Sequence, residues 1–139
     1  MKAFSSCLIP KENIWAEVIS YGNLPQPTYI EVVEDRQVVR IISPIPAKMP
    51  EDKIVDAALG VAAINSQLLM GYFRLDISNG SISFVMTESY RGMDTIDNEL
   101  IQYLLGTTFF TTDEYNDKFF MLGKGMMTFE QFIEKINEE

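Results

Sequence analysis

Apolar and polar residues alternate in two pairs of short stretches and recur at three- and four-residue steps elsewhere, so the pattern lays out hairpins and helices. Thr28–Glu34 and Gln37–Ser43 are rich in β-branched residues and separated by Asp35-Arg36, which predicts an antiparallel hairpin over 28–43. Pro44 and Pro46 end it, and Pro50 stands where a first-turn proline opens a helix. Between Glu51 and Met70 the apolar positions Ile54, Ala57, Ala58, Val61, Ala62, Ile64, Leu68 and Leu69 predict a helix over 51–70. Its small residues Ala57, Ala58, Gly60, Ala62 and Ala63 allow another backbone to approach closely, either its own sheet or a second subunit. Tyr72–Ile77 and Ser81–Thr87 flank Asn79-Gly80, a pair suited to a type I′ turn, and predict a second hairpin over 72–87. Phe73, Leu75 and Ile77 share one face with Ile82, Phe84 and Met86 across the turn, while Tyr72, Arg74, Asp76, Ser83, Val85 and Thr87 take the other.

The remainder, 94–138, reads as helices. Ile96, Leu100, Ile101, Leu104 and Leu105 mark Asp94–Gly106, capped by Asp94 or Thr95, and Phe109, Phe110, Tyr115, Phe119 and Phe120 continue through Leu122. The two segments read as one long helix or as two with a break near the threonines; Thr108, Thr111 and Thr112 favour the break, with Thr111 or Thr112 capping a new turn and Asp113 and Glu114 behind it. Thr128 and Gln131 form a capping-box pattern at the start of a last helix that buries Phe129, Phe132, Ile133 and Ile136. In residues 1–27, Pro10, Pro25 and Pro27 bracket a short apolar patch, Ile14, Trp15, Val18 and Ile19, which predicts an irregular region or one short helix or strand. The fold class is therefore α+β, an antiparallel sheet built from hairpins and covered on one face by helices. A chain of 139 residues is the length of one domain with one core.

Composition changes this picture mainly by exclusion. Without histidine, the chain alone supplies no Ser-His-Asp or Cys-His nucleophile, imidazole acid–base group or His-ligated zinc. Cys7 is the sole cysteine, so no internal disulfide or multi-cysteine metal site forms, and the cytoplasm is the expected compartment. The longest apolar run, Ala57 to Ile64, falls far short of the ~20 residues that span a bilayer. The net charge is -9, and residues 70–139 carry most of it, with 12 acidic against 5 basic groups. Nucleic acid and anionic membranes are not expected partners.

Candidate chemistry is sparse. Asp94, Asp97 and Glu99, and Asp113, Glu114 and Asp117, are the densest carboxylate groups, but their predicted place at helix starts explains them without a ligand. Asp76–Ser81 resembles the first half of a calcium loop, yet Glu88 lies one residue past the twelfth position, and a hairpin turn fits better. Gly123-Lys124-Gly125 lacks phosphate-loop spacing and reads as a connection between helices. Met121, Met126 and Met127 beside Phe119 and Phe120 form a soft apolar cluster that serves either as core filler or as an adaptable contact surface for peptides, filler being the favoured reading. No cofactor and no metal are expected.

A resemblance adds to this reading. Residues 64–84 (INSQLLMGYFRLDISNGSISF) and 97–136 are similar to bacterial proteins of the YbjN family, described as sensory transduction regulators, which share the fold of type III secretion chaperones. The likeness lies in Ile64, Asn65 and Leu68 at a helix end, and in Gly71, Phe73, Leu75 and Asp76 along a strand. It continues in the Asn-Gly hairpin, the acid-rich helix running into Asp113-Glu114-Tyr115, and the glycine connection before the last helix. Such domains open with a sizeable helix, whereas Met1–Leu24, interrupted by Pro10, offers at best a short one. The resemblance implies a non-enzymatic chaperone-like or regulatory domain, a homodimer that binds a partner protein. The dimer or partner surface is then expected at the small-residue helix (Ala58, Ala62) or at an exposed sheet face (Tyr72, Val85). Two other function classes fit the composition: an acidic immunity or inhibitor protein that blocks a basic toxin or enzyme, and an enzyme using metal-bound carboxylates.

Overall fold

The computed structural model describes residues 14–138, with the side chains of Ile14 and Trp15 outside the description. Residues 1–13 of the expected N-terminal element, Cys7 and Pro10 among them, lie outside the described residues. Five strands form one antiparallel sheet: β1 (Ile14–Tyr21), β2 (Pro25–Val33), β3 (Val38–Pro44), β4 (Tyr72–Asp76) and β5 (Ser81–Ser89). Their order is β1-β2-β3-β5-β4, which places β1 and β4 at the edges. Among the described residues there are three helices: α1 (Ile54–Asn65), entered through a 3₁₀ turn at Glu51–Lys53, α2 (Asn98–Gly123) and α3 (Phe129–Ile136).

The expected first hairpin over 28–43 is part of a three-stranded meander. Of the alternatives at 14–27, the strand is adopted: β1 pairs with β2 along its whole length, from Ile14 opposite Val32 to Tyr21 opposite Pro25. Pro25 and Pro27 sit in the first three residues of β2, where a proline interrupts pairing least. The β4–β5 connection also departs from the two-residue turn. Asp76 opposes Ser81, so the loop holds four residues, closed by the Gly80 N–H donating to the Asp76 carbonyl at 2.7 Å. Only Gly80 takes a positive φ there, 81°, and a Cβ at that position would overlap the Met49 carbonyl.

The helices also differ in length from the expectation. α1 stops at Asn65 instead of Met70, because the Asn65 amide is committed to the sheet: its Oδ1 accepts from the Phe73 N–H at 2.8 Å and its Nδ2 donates to the Phe73 carbonyl at 2.9 Å. The break predicted at the threonines does not occur, and α2 runs unbroken for 26 residues. Thr112 Oγ1 donates to the Thr108 carbonyl at 2.8 Å, one turn back, and Thr108 Oγ1 reaches Met86 Sδ at 3.4 Å. The Thr112 hydroxyl is thus satisfied inside the helix and that of Thr108 against β5, and neither diverts the chain. Asp97, not Asp94 or Thr95, is the cap, accepting from the Glu99 N–H at 3.0 Å. At α3 the capping box forms: Thr128 Oγ1 accepts from the Gln131 N–H and Gln131 Oε1 from the Thr128 N–H.

One face of the sheet meets the helices. Val39 and Ile41 of β3, Phe73 of β4 and Ile82, Phe84 and Met86 of β5 join Val61 and Ile64 of α1, Leu104, Phe119 and Leu122 of α2 and Phe132 of α3 in one core. An aromatic chain runs through it: Phe84 to Phe73 at 5.0 Å between ring centroids, Phe73 to Phe119 at 5.5 Å, Phe119 to Phe132 at 5.3 Å. Tyr115 meets Phe73 edge-on at 5.7 Å. Gly60 brings α1 against α3, since a Cβ there would lie 2.6 Å from Phe132 Cε2. Close approach by the small-residue helix is therefore to α3 at Gly60.

Candidate functional site

Ala58 and Ala62 are exposed on α1, and they do not stand alone. Val55 and Leu59, 70% and 52% exposed, complete an i, i+3, i+4, i+7 stripe opposite the buried Ala57, Gly60, Val61 and Ile64. The helix is thus apolar on both sides while only one side is covered by the sheet and α3. A contiguous apolar stripe of this kind marks an interaction surface more often than a scattered exposed residue does.

Tyr72 and Val85 are on the other side of the molecule. Phe73 and Phe84 oppose one another in the core, so the adjacent pair Tyr72 and Val85 points away from the helices. Tyr72 is 45% exposed, but Val85 is fully buried, which corrects the expectation of an exposed face at that position. Val85 lies in the middle of a row, Tyr72, Val85, Ile42, Tyr29, that crosses four strands. Ile42 is likewise fully buried and Tyr29 nearly so. One strand pair along, Arg40 engages the fully buried Glu31 across β2 and β3, Nη2 at 2.6 Å and Nε at 2.8 Å from Oε1. Burial, then the charge and hydrogen bond of Glu17, pushes the Tyr29 hydroxyl up to about 12. The structure therefore does not bring the two predicted surfaces together.

The carboxylates are also redistributed. Asp113, Glu114 and Asp117 lie in the middle of α2, because the helix does not break, and dipole stabilisation at a helix start does not account for them. Among the described residues no group of three His, Cys, Asp or Glu side chains is arranged to hold a metal ion. In the β4–β5 loop, the Asp76 carboxylate accepts from the Ser78 N–H at 3.0 Å and hydroxyl at 2.6 Å, which hold it below the ordinary carboxylate range. Asn79 Oδ1 accepts from the Ser81 N–H at 2.9 Å, so the loop's polar groups brace its own backbone. Glu88 sits in β5 opposite Val39. Among the methionines, Met127 is buried and Met121 partly so, both against the core, while Met126 is 67% exposed. Gly123-Lys124-Gly125 links α2 to α3, and Lys124 lies over the Phe120 ring at 5.7 Å. A groove of about 520 Å³ opens beside it against Pro46–Pro50.

The part of the molecule that the residue pattern does not announce is a polar seam between the start of β2 and the middle of α2. Gln26, flanked by two prolines, is buried; its Nε2 donates to Ser43 Oγ at 2.9 Å and to the Pro44 carbonyl. Because a carbonyl can only accept, this orientation turns Gln26 Oε1 towards Asn116, whose Nδ2 donates to it at 3.0 Å. Thr28 and Ser43 share a hydrogen bond at 2.9 Å, and the Ser43 hydroxyl also lies 3.0 Å from the Pro27 carbonyl. Asn116 is fully buried, yet its Oδ1 has no hydrogen-bond partner among the described residues. Arg74 Nη2 and Asp117 Oδ1 are in the same condition elsewhere.

A cavity of about 360 Å³ adjoins this seam, between the β1–β2 turn and α2. Gln26 and Asn116 line it, with Asp113 on the turn of helix before Asn116. The Asp113 carboxylate accepts from the Asn23 N–H at 2.6 Å, and Asn23 Nδ2 donates to the Asp113 carbonyl at 3.0 Å. Gly22 lies against this latch, where a Cβ would displace the Asp113 carboxylate. Tyr21 and Phe110, 80% and 76% exposed, flank the opening. Lys118 also lines the cavity, but its Nζ donates to the Glu114 carbonyl at 2.6 Å and lies 4.0 Å from the Glu114 carboxylate.

Among the described residues, no helix is long and apolar enough to cross a membrane. No family model matches the chain, and no curated protein matches it. Among solved structures, the chain is similar to a chain of the crystal structure of the ExsC–ExsE complex. The match has a TM-score of 0.51, covers 84% of this chain and 86% of that one, and has 8% sequence identity. The fold is thus α+β, an antiparallel sheet with helices on one face, and is similar to that chain's fold.

Proposed function

We propose that this chain is a non-enzymatic protein-binding domain of the chaperone-like or regulatory kind, related to the YbjN family, that acts in the cytoplasm as a homodimer. The observation that carries the reading is the α1 stripe, where Val55, Ala58, Leu59 and Ala62 stand in solvent on a helix whose other side is already packed. Small residues at Ala58 and Ala62 let a second helix approach, and Leu59 supplies a knob for it. The similarity to a protein solved in complex with a partner supports the same reading. Light scattering at roughly 50 μM checks it, because a dimer of micromolar affinity is mostly assembled there. The expected mass is twice 15.8 kDa, falling to the monomer in Leu59→Glu without loss of the folded spectrum. A wild-type monomer at that concentration would overturn the dimer.

A further inference from the structure

We infer that the cavity between the β1–β2 turn and α2 receives an arginine side chain of the bound protein partner. The inference rests on the protein-binding reading and gives it a chemistry. Three features converge on a guanidinium. The first is an acceptor that lacks a donor among the described residues: Asn116 lines the cavity, and its Oδ1 is buried and unpartnered, its own amide turned the other way by Gln26 and the Pro44 carbonyl. The second is uncompensated negative charge. Asp113 takes a backbone N–H from Asn23 but has no ion-pair partner among the described residues, while Lys118 is drawn to Glu114.

The third feature is the mouth, where Tyr21 and Phe110 stand exposed on either side in the way that suits a planar cation stacking on rings. Helical spacing ties these groups together. Phe110, Asp113 and Asn116 are spaced three residues apart along α2, so each is a neighbour of the next at about 5–6 Å, and the row winds from the exposed side of the helix at Phe110 to its buried side at Asn116. Arginine fits better than lysine, because five donors in a rigid fork can reach separate acceptors while the plane lies on a ring. A volume of about 360 Å³ is at the small end for ligand sites and suits one side chain.

The test uses the full chain and amide-resolved NMR. N-acetyl-arginine amide is expected to move the Gly22, Asn23 and Asp113 backbone signals and the Asn116 side-chain pair, saturating at roughly millimolar concentration. N-acetyl-norleucine amide is expected to leave them in place. Asp113→Asn keeps an acceptor for Asn23 and removes the charge, so it should weaken arginine binding at least about fivefold with an unchanged melting temperature. Phe110→Ser should weaken it about threefold. The peptide Ac-Ala-Arg-Ala-NH2 should bind at least as tightly as the free amide. No response at these signals, an equal response to norleucine, or an unaffected Asp113→Asn would each overturn the proposal and leave a water-filled cavity. A peptide that binds more weakly than the free amide would overturn its protein source. The α1 dimer is measured by mass with no arginine probe, so either reading can fail while the other stands.

Discussion

Helices α1 and α2 cover the same face of one sheet with opposite residue types. α1 meets its neighbours through Ala57, Gly60, Val61 and Ile64 and leaves Val55, Ala58, Leu59 and Ala62 in solvent. α2 buries Thr108, Thr111, Thr112 and Asn116 alongside Leu104, Tyr115, Phe119 and Leu122, and leaves Asp113, Glu114 and Asp117 half-buried. Where α1 has apolar surface to spare, α2 has polar groups that only the fold can satisfy. An unused apolar face can be covered by any complementary surface, whereas a buried amide without a donor specifies what must come. The two helices thus offer two kinds of recognition, one by area and one by chemistry.

The strongest challenge to this contrast is at the point where the helices share the core. Phe119 touches both Phe73 and Phe132, at 5.5 and 5.3 Å, so it joins α2 to the sheet and to α3. Phe119→Ala should cost about 3–5 kcal/mol in urea unfolding. A cost below about 1 kcal/mol would mean that the polar seam, not the aromatic chain, holds α2 in place.

The polar seam comes next. Gln26→Leu removes the acceptor of Asn116 and the donor to Ser43, which should cost about 2–3 kcal/mol by leaving buried polar groups unpaired. The double variant Gln26→Leu, Asn116→Leu should be less destabilised than the sum of the two single variants, since it removes partners together. Additivity would show that the two side chains act separately.

A reference outside both helices comes from Tyr29, on the far face of the sheet. Its hydroxyl stays protonated up to about 12 in the folded chain, against an ordinary value of 10.0. The neutral form is the one that the fold favours, so the contribution is fully present below pH 10 and is lost as pH rises through 12. About two pH units correspond to roughly 2–3 kcal/mol. Urea midpoints measured across that window should fall in the wild type and fall less in Tyr29→Phe.

These residues also show how far the pattern along the chain can be read. The Thr128–Gln131 capping box and the turn glycine Gly80 are legible because cap and turn chemistry is complete within four residues. β1 is hidden because two prolines precede its partner's β-branched run, and only pairing with β2 makes that segment a strand. The threonines of α2 suggest a break by propensity, but a buried helix overrides it, with the Thr112 hydroxyl bonded one turn back and that of Thr108 bonded to Met86 of β5. Val85 alternates with core residues as an exposed position would, yet its exposure depends on neighbours that the strand's own sequence does not name. The cavity is the least legible feature, since Asn23 and Asp113 are 90 residues apart, as are Gln26 and Asn116.

The smallest effect expected on stability lies on the outer stripe of α1, and its smallness is the point. Val55→Glu or Leu59→Glu replaces a solvent-exposed side chain on a helix and touches no core residue, so each should change unfolding free energy by no more than about 0.5 kcal/mol per monomer. Measured at low concentration, where association does not contribute, such variants separate the two faces of α1. Gly60→Val on the opposite side drives a branched side chain into the Phe132 ring and should cost about 1–3 kcal/mol. If Leu59→Glu were as destabilising as Gly60→Val in the monomer, the outer stripe would belong to the chain's own core. If it is neutral there and destabilising only at concentrations that favour association, the stripe's apolar character serves a second chain and not the fold.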